Sequence, residues 1–237
     1  MSKNIYDIPW DKIDNNILCN LSYLEGRTFL WEEFEDFISN NTDIQDDKED
    51  LFEEEIYNLL NSWTLVKKII IFEIENKLDY KYRKVRLIHD MRNVYSNIDP
   101  TKRMIYRFNI LKPSGYKFLK DLFKLFKKVS SGDNYFSTIQ TLLYFYIDNT
   151  MNHTFGKYSR ELFCLLFEAC LLIKFKTPLI FSQDEVKALS DICEIVRKKC
   201  LCIEKRHWSN LIEFRQLLNT LVSTYELNKL NYVLGES

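Results

Sequence analysis

The chain has 237 residues, 46% of them hydrophobic and 15% aromatic, which is enough apolar material for a sizeable core and too much for a disordered chain. Only 5 Gly and 4 Pro occur, so tight turns are scarce, which disfavours sandwiches and barrels and points to long helices. The formal net charge of −1 conceals a separation: residues 25–55 hold 13 Asp and Glu against Arg27 and Lys48, a local net of −11, and residues 77–128 hold 15 Lys and Arg against Asp79, Asp90, Asp99 and Asp121, a local net of +11.

The first predicted helix covers residues 9–25, where Ile13, Ile17, Leu18, Leu21 and Leu24 share one face. Pro9 suits its opening and Gly26 its end. Thr28 can cap a second helix with Leu30, Phe34, Phe37 and Ile38 inward, and the acidic stretch 40–50 reads as a mobile surface loop. A long third helix is expected over roughly 49–77, on the stripe Phe52, Ile56, Leu59, Leu60, Trp63, Val66, Ile70 and Ile74. The run Lys67–Phe72 could pass for a strand, but the stripe continues on both sides of it. Residues 80–97 form a basic helix that ends before Asp99-Pro100. A short helix follows to about Leu111, and Lys112-Pro113-Ser114-Gly115 reads as a break. Residues 116–129 are amphipathic, with Phe118, Leu119, Leu122, Phe123, Leu125 and Phe126 opposing Lys117, Lys120, Lys124, Lys127 and Lys128.

Ser130-Ser131-Gly132-Asp133 is the clearest internal break and a candidate subdomain boundary within what reads as one all-helical domain, 1–237. Phe136, Ile139, Leu142, Leu143, Tyr146 and Ile147 mark the next helix, and Asn152–Lys157 a loop. Leu162–Phe175 is apolar at twelve of fourteen positions, interrupted by Glu168 and Lys174. A helix apolar all round belongs inside a bundle, and this one is too short for a membrane span, which needs ~20 apolar residues. Thr177-Pro178 ends that unit. Ser182 with Glu185 reads as a capping box, stapled by Phe181 and Val186. The last helix, near 208–233, carries Leu211, Phe214, Leu218, Leu221 and Tyr225. The fold expected from these elements is all-α, a bundle of about nine or ten helices around the buried helix at 160–175.

Catalytic and metal signatures are weak. Cys193, Cys200, Cys202 and His207 are zinc ligands by type, but there is no C-x2-C pair, and Cys202 points away from Cys200 at ~100° per residue. No metal and no cofactor is expected. The five Gly are all isolated, so no phosphate-cradling loop can be built. The carboxylates of 43–55 lack the Gly that a calcium loop needs. His89, His153 and His207 have no local nucleophile or orienting partner, so no enzyme is expected. The polar, charged N-terminus and six Cys scattered through helical patterns read as an intracellular protein, nuclear or cytoplasmic, with reduced thiols.

What remains is charge. Tyr80, Lys81, Tyr82, Arg83, Lys84, Arg86 and Arg92, then Lys102, Arg103, Tyr106, Arg107 and Phe108, interleave cations with aromatics. The leading expectation is a non-enzymatic interaction subunit of an intracellular multiprotein complex that offers helix-face grooves to partner segments. In that reading Lys81, Arg83, Lys84, Arg86, Arg92, Lys102, Arg103 and Arg107 set orientation and on-rate. The alternative is a nucleic-acid-binding helical protein that uses the 80–128 face, cations on phosphates and rings on unpaired bases.

Overall fold

The computed structural model describes residues 10–24, 51–76 and 80–233, with the side chains of 11–12, 23–24, 51–53, 80–84 and 232–233 outside that description. No strand occurs among the described residues, and the fold is all-α. Among the described residues eight α-helices follow in order: α1 (Trp10–Leu24), α2 (Leu51–Glu75), α3 (Tyr80–Ile98), α4 (Pro113–Ser131), α5 (Tyr135–Met151), α6 (Ser159–Phe175), α7 (Gln183–Cys200) and α8 (Ile212–Val233). Short 3-10 turns lie at Ile105–Phe108, Gly156–Tyr158 and Lys205–Asn210. The helix expected at 28–38 and the acidic loop at 40–50 lie outside the described residues.

The buried helix is α6. Twelve of its seventeen residues are buried, and α1, α2, α3 and α5 all pack on it. Each fully buried Leu or Phe on it is worth about 1.5–3 kcal/mol relative to exposure. The two polar interruptions each have a partner far along the chain. The Glu168 carboxylate accepts from the backbone N–H of Leu179 at 3.0 Å. The Lys174 ammonium donates to the carbonyls of Val129 and Gly132, which holds the turn between α4 and α5. Buried apolar side chains run in one cluster through residues on both sides of that turn.

Residues 177–182 form no regular secondary structure, and Thr177, Leu179 and Phe181 are buried. Buried backbone must be hydrogen-bonded, and side chains do this where no strand is available. Asn20 grips Phe181 at both ends, with Nδ2 donating to its carbonyl at 3.0 Å and Oδ1 accepting its N–H at 2.9 Å. Asn228 Nδ2 donates to Ile180 O at 2.9 Å. The segment thereby ties α1 and α8 to α6. Ser182 then starts α7 with the expected capping box, its N–H donating to the Glu185 carboxylate at 2.8 Å.

The stretch between α3 and α4 departs from expectation. The short helix predicted to run to Leu111 is one 3-10 turn, Ile105–Phe108. Lys112–Gly115 is a helix start instead of a break, with Pro113 in the first turn of α4, where its missing N–H costs nothing. Gly115 is helical because the chain passes over it: a Cβ there would sit 2.1 Å from Asn109 O. Gly115→Ala is expected to lower the melting temperature, costing about 1–3 kcal/mol as overpacking does. Unchanged melting would mean that the 109 carbonyl moves freely.

Asp99 builds the same corner. Its carboxylate accepts from the N–H of Thr101 at 3.0 Å, the N–H of Arg103 at 3.1 Å and the Tyr95 hydroxyl at 2.5 Å. The Tyr95 hydroxyl in turn accepts from Met104 N at 2.9 Å. Burial alone would raise the Asp99 carboxyl, but hydrogen bonds from Thr101, Tyr95 and the 103 and 101 amides hold it below its ordinary value. Under the corner lie tilted and edge-on rings, Tyr95, Phe108, Phe118, Phe155 and Phe163, with centroids 4.8–6.2 Å apart. The corner is therefore fixed by a buried carboxylate and seated on an aromatic cluster.

Candidate polyanion-binding face

The sequence-predicted cations fall into four settings. The side chains of Lys81, Arg83 and Lys84, on the first turns of α3, lie outside the described residues. Arg86 is engaged by the fold: its guanidinium carbon sits 3.1 Å from the Phe72 ring centre, and Nε lies 3.4 Å from Asp90. Burial pushes the Asp90 carboxyl up, and Arg86 pulls it back. Arg86 thus joins α3 to α2 and is a poor ligand contact. Arg92 is exposed on the body of α3.

Lys102, Arg103 and Arg107 stand on the Asp99 corner. Lys102 and Arg103 are exposed, and Lys102 takes the left-handed backbone, φ 53°. That conformation is rare for a long side chain. Here it places the next two N–H groups within reach of the corner's acceptors, Arg103 on Asp99 and Met104 on Tyr95. Arg107 is half-buried, its guanidinium 5.6 Å from the Tyr106 ring centre. Around it Tyr106, Ile110, Leu111 and Tyr116 are exposed, Leu111 at 86%.

Lysines then continue along α4. Lys117, Lys120, Lys124, Lys127 and Lys128 recur at helical spacing and are all exposed, opposite the buried Phe118, Leu119, Leu122 and Leu125. From Lys117 to Lys128 the track runs ~17 Å along α4 at 1.5 Å per residue. Lys124 alone of the five has an acid partner among the described residues, Asp121 at 3.3 Å, and that pair is solvent-exposed. Tyr116 lies beside the track, with the Lys120 ammonium 6.0 Å from its ring.

At its far end the track opens into a groove of ≈850 Å³ between α4, α5 and the 205–210 turn. Lys124, Lys127 and Lys128 form one wall, and Lys205 and Arg206 stand on another with Tyr144 and Asp148. Lys205 pairs with Asp148 at 2.6 Å. The turn is held by Trp208, buried and stacked on Tyr144 with centroids 5.7 Å apart and planes at 9°. The sequence carried no sign that Lys205 and Arg206 join the lysines of α4. The described part of the acidic block reaches elsewhere, Glu55 to Lys157 at 2.9 Å.

The thiols offer little chemistry. Burial pushes Cys170 and Cys193 up to about 12 and Cys200 up to about 11, so they stay protonated and weakly nucleophilic. Cys202 is exposed, apart from the buried Cys193 and Cys200. Among the described residues no group of three or more His, Cys, Asp or Glu could hold a metal ion, and no helix is long and apolar enough to cross a membrane. Compared with known protein families, with curated proteins and with solved structures, the chain matches none.

Proposed function

We propose that the chain is a non-enzymatic binding protein that holds single-stranded nucleic acid along the Asp99 corner and the α4 track. The observation that carries this reading is the row Lys117, Lys120, Lys127 and Lys128, exposed, without acid partners among the described residues, and flanked by the exposed rings of Tyr106 and Tyr116. Cations without acid partners among the described residues keep their attraction for phosphates, and exposed rings supply sequence-tolerant stacking of about 1–3 kcal/mol per base. Double-stranded ligands would leave those rings unused.

The test is fluorescence anisotropy of a labelled oligothymidylate at several salt concentrations. Binding is expected to weaken steeply with salt. In the Lys117→Glu/Lys120→Glu/Lys127→Glu/Lys128→Glu variant the slope of log affinity against log salt should fall by ~3, about 0.7 for each lost phosphate contact on a single strand. Folding should survive, since exposed charges contribute ~0–1 kcal/mol each. Absence of salt-dependent binding in the unaltered chain would overturn the reading. The exposed Ile110 and Leu111 favour a second one, a subunit of a protein complex that docks an acidic amphipathic segment on the same corner. An acidic peptide that binds where oligothymidylate does not would select it.

A further inference from the structure

Five helices, α1, α5, α6, α7 and α8, converge with the 179–181 segment on a cavity of ≈70 Å³. A single water needs only about 10–15 Å³ of such space, so the cavity has room for a small organic molecule. Its walls are apolar, among them Ile17, Leu143, Phe167, Leu189, Leu217 and Leu221. Among the described residues, the polar side chains on its wall are Asn20, Glu168 and Tyr146. Asn20 is held at both ends by Phe181. Glu168 has one oxygen, Oε2, on Leu179 N, and among the described residues Oε1 has no hydrogen-bond partner. A buried carboxyl with one occupied and one open oxygen, lining an apolar cavity, is a built recognition point.

The charge state fixes the chemistry of the ligand. Burial pushes Glu168 up to about 8, with the Leu179 N–H pulling the other way, so at neutral pH it is an acid with an O–H to donate. Among the described residues, the other titratable groups lining the cavity are Tyr146, Cys164 and Cys193, and no Lys, Arg, His or second carboxyl lines it. An anionic ligand finds no cation there, and a cationic one must ionise Glu168 in apolar surroundings at a large desolvation cost.

We propose that this cavity is a binding site for a small neutral molecule, mostly apolar, bearing one hydrogen-bond-accepting oxygen, such as a ketone or ether, that takes the Glu168 O–H. The site is independent of the cationic face.

Cyclohexanone is a suitable probe, with cyclohexane as the control that lacks the oxygen. The intact chain is titrated with each, followed by the amide resonance of Leu179 and by the melting temperature. Cyclohexanone is expected to shift the Leu179 resonance saturably and raise the melting temperature, and cyclohexane to bind at least tenfold more weakly. Cyclohexanone affinity should fall as pH rises from 6.5 to 9 in the unaltered chain, yet stay level in Glu168→Gln, whose amide still donates. Leu143→Phe, which fills the cavity, should abolish the shift. No saturable shift, or a shift unaffected by pH in the unaltered chain, would overturn the proposal; the pH profile decides it even if Leu143→Phe does not fold.

Discussion

Leu172→Asp is expected to yield no folded protein. Leu172 is fully buried on α6, the helix on which four others pack. An uncompensated carboxylate in such a place costs several kcal/mol, and the lost Leu adds the transfer and cavity terms of a large-to-small change, about 2–5 kcal/mol. Together these match a whole domain stability of ~5–15 kcal/mol. Glu168, one turn earlier on the same helix and also buried, shows what would be required to survive there: a backbone donor, Leu179 N, at 3.0 Å, and a proton. Leu172→Met keeps the volume and should cost under about 1.5 kcal/mol, which separates the charge effect from general intolerance. Soluble Leu172→Asp protein with an unaltered far-ultraviolet circular dichroism spectrum and melting temperature would remove α6 from the centre of the fold.

The contrast between those two positions also marks how far the sequence could be read. The centrality of α6 was legible because burial on all sides leaves a helix with no wet face, a property of fourteen consecutive residues. The Ser182–Glu185 cap was legible because both partners lie within one turn. Glu168 and Lys174 read only as interruptions, since their partners are 11 and 42–45 residues away and no periodicity carries that information. The Asn20–Phe181 clamp spans 161 positions and was invisible for the same reason. Lys112–Gly115 was misread because Pro and Gly punctuate a helix start and a chain break alike; what decides is the Asn109 carbonyl lying against Gly115. For the binding face, composition located the excess of positive charge but not its partners. Arg86 counts as one charge among fifteen until Phe72 and Asp90 are seen to hold it. Lys205 and Arg206 become part of the face only once α4 and α5 bring the 205–210 turn beside Lys124.

Stability is expected to fall as pH rises from about 5 to about 8, and Glu168→Gln is expected to remove most of that fall. The folded chain holds the Glu168 carboxyl up at about 8, against an ordinary value of 4.5, because burial disfavours the anion more than the single hydrogen bond from Leu179 favours it. Below 4.5 both folded and unfolded chains bind the proton, and the group exerts no pH-dependent effect. Between the two values the unfolded chain has released its proton and the folded chain still holds it. Stability therefore declines with each step in pH, by about 1.4 kcal/mol per pH unit at most. Above the folded value both forms are ionised, and the decline stops with a loss on the order of several kcal/mol. Asp99 acts in the opposite sense and elsewhere: held below its ordinary value by its hydrogen bonds, it contributes stability that is lost only as the solution becomes more acidic than that value. The thiols that face Glu168 across the cavity include Cys193, pushed up to about 12, which leaves it protonated throughout the window. Urea unfolding at pH 5 and pH 8 provides the measurement. In the unaltered chain the midpoint should drop between the two, and in Glu168→Gln, where nothing titrates and Oε1 can still accept from Leu179, the two midpoints should draw together. Equal drops in both proteins would show that Glu168 is already ionised in the fold, which would require a donor to its second oxygen.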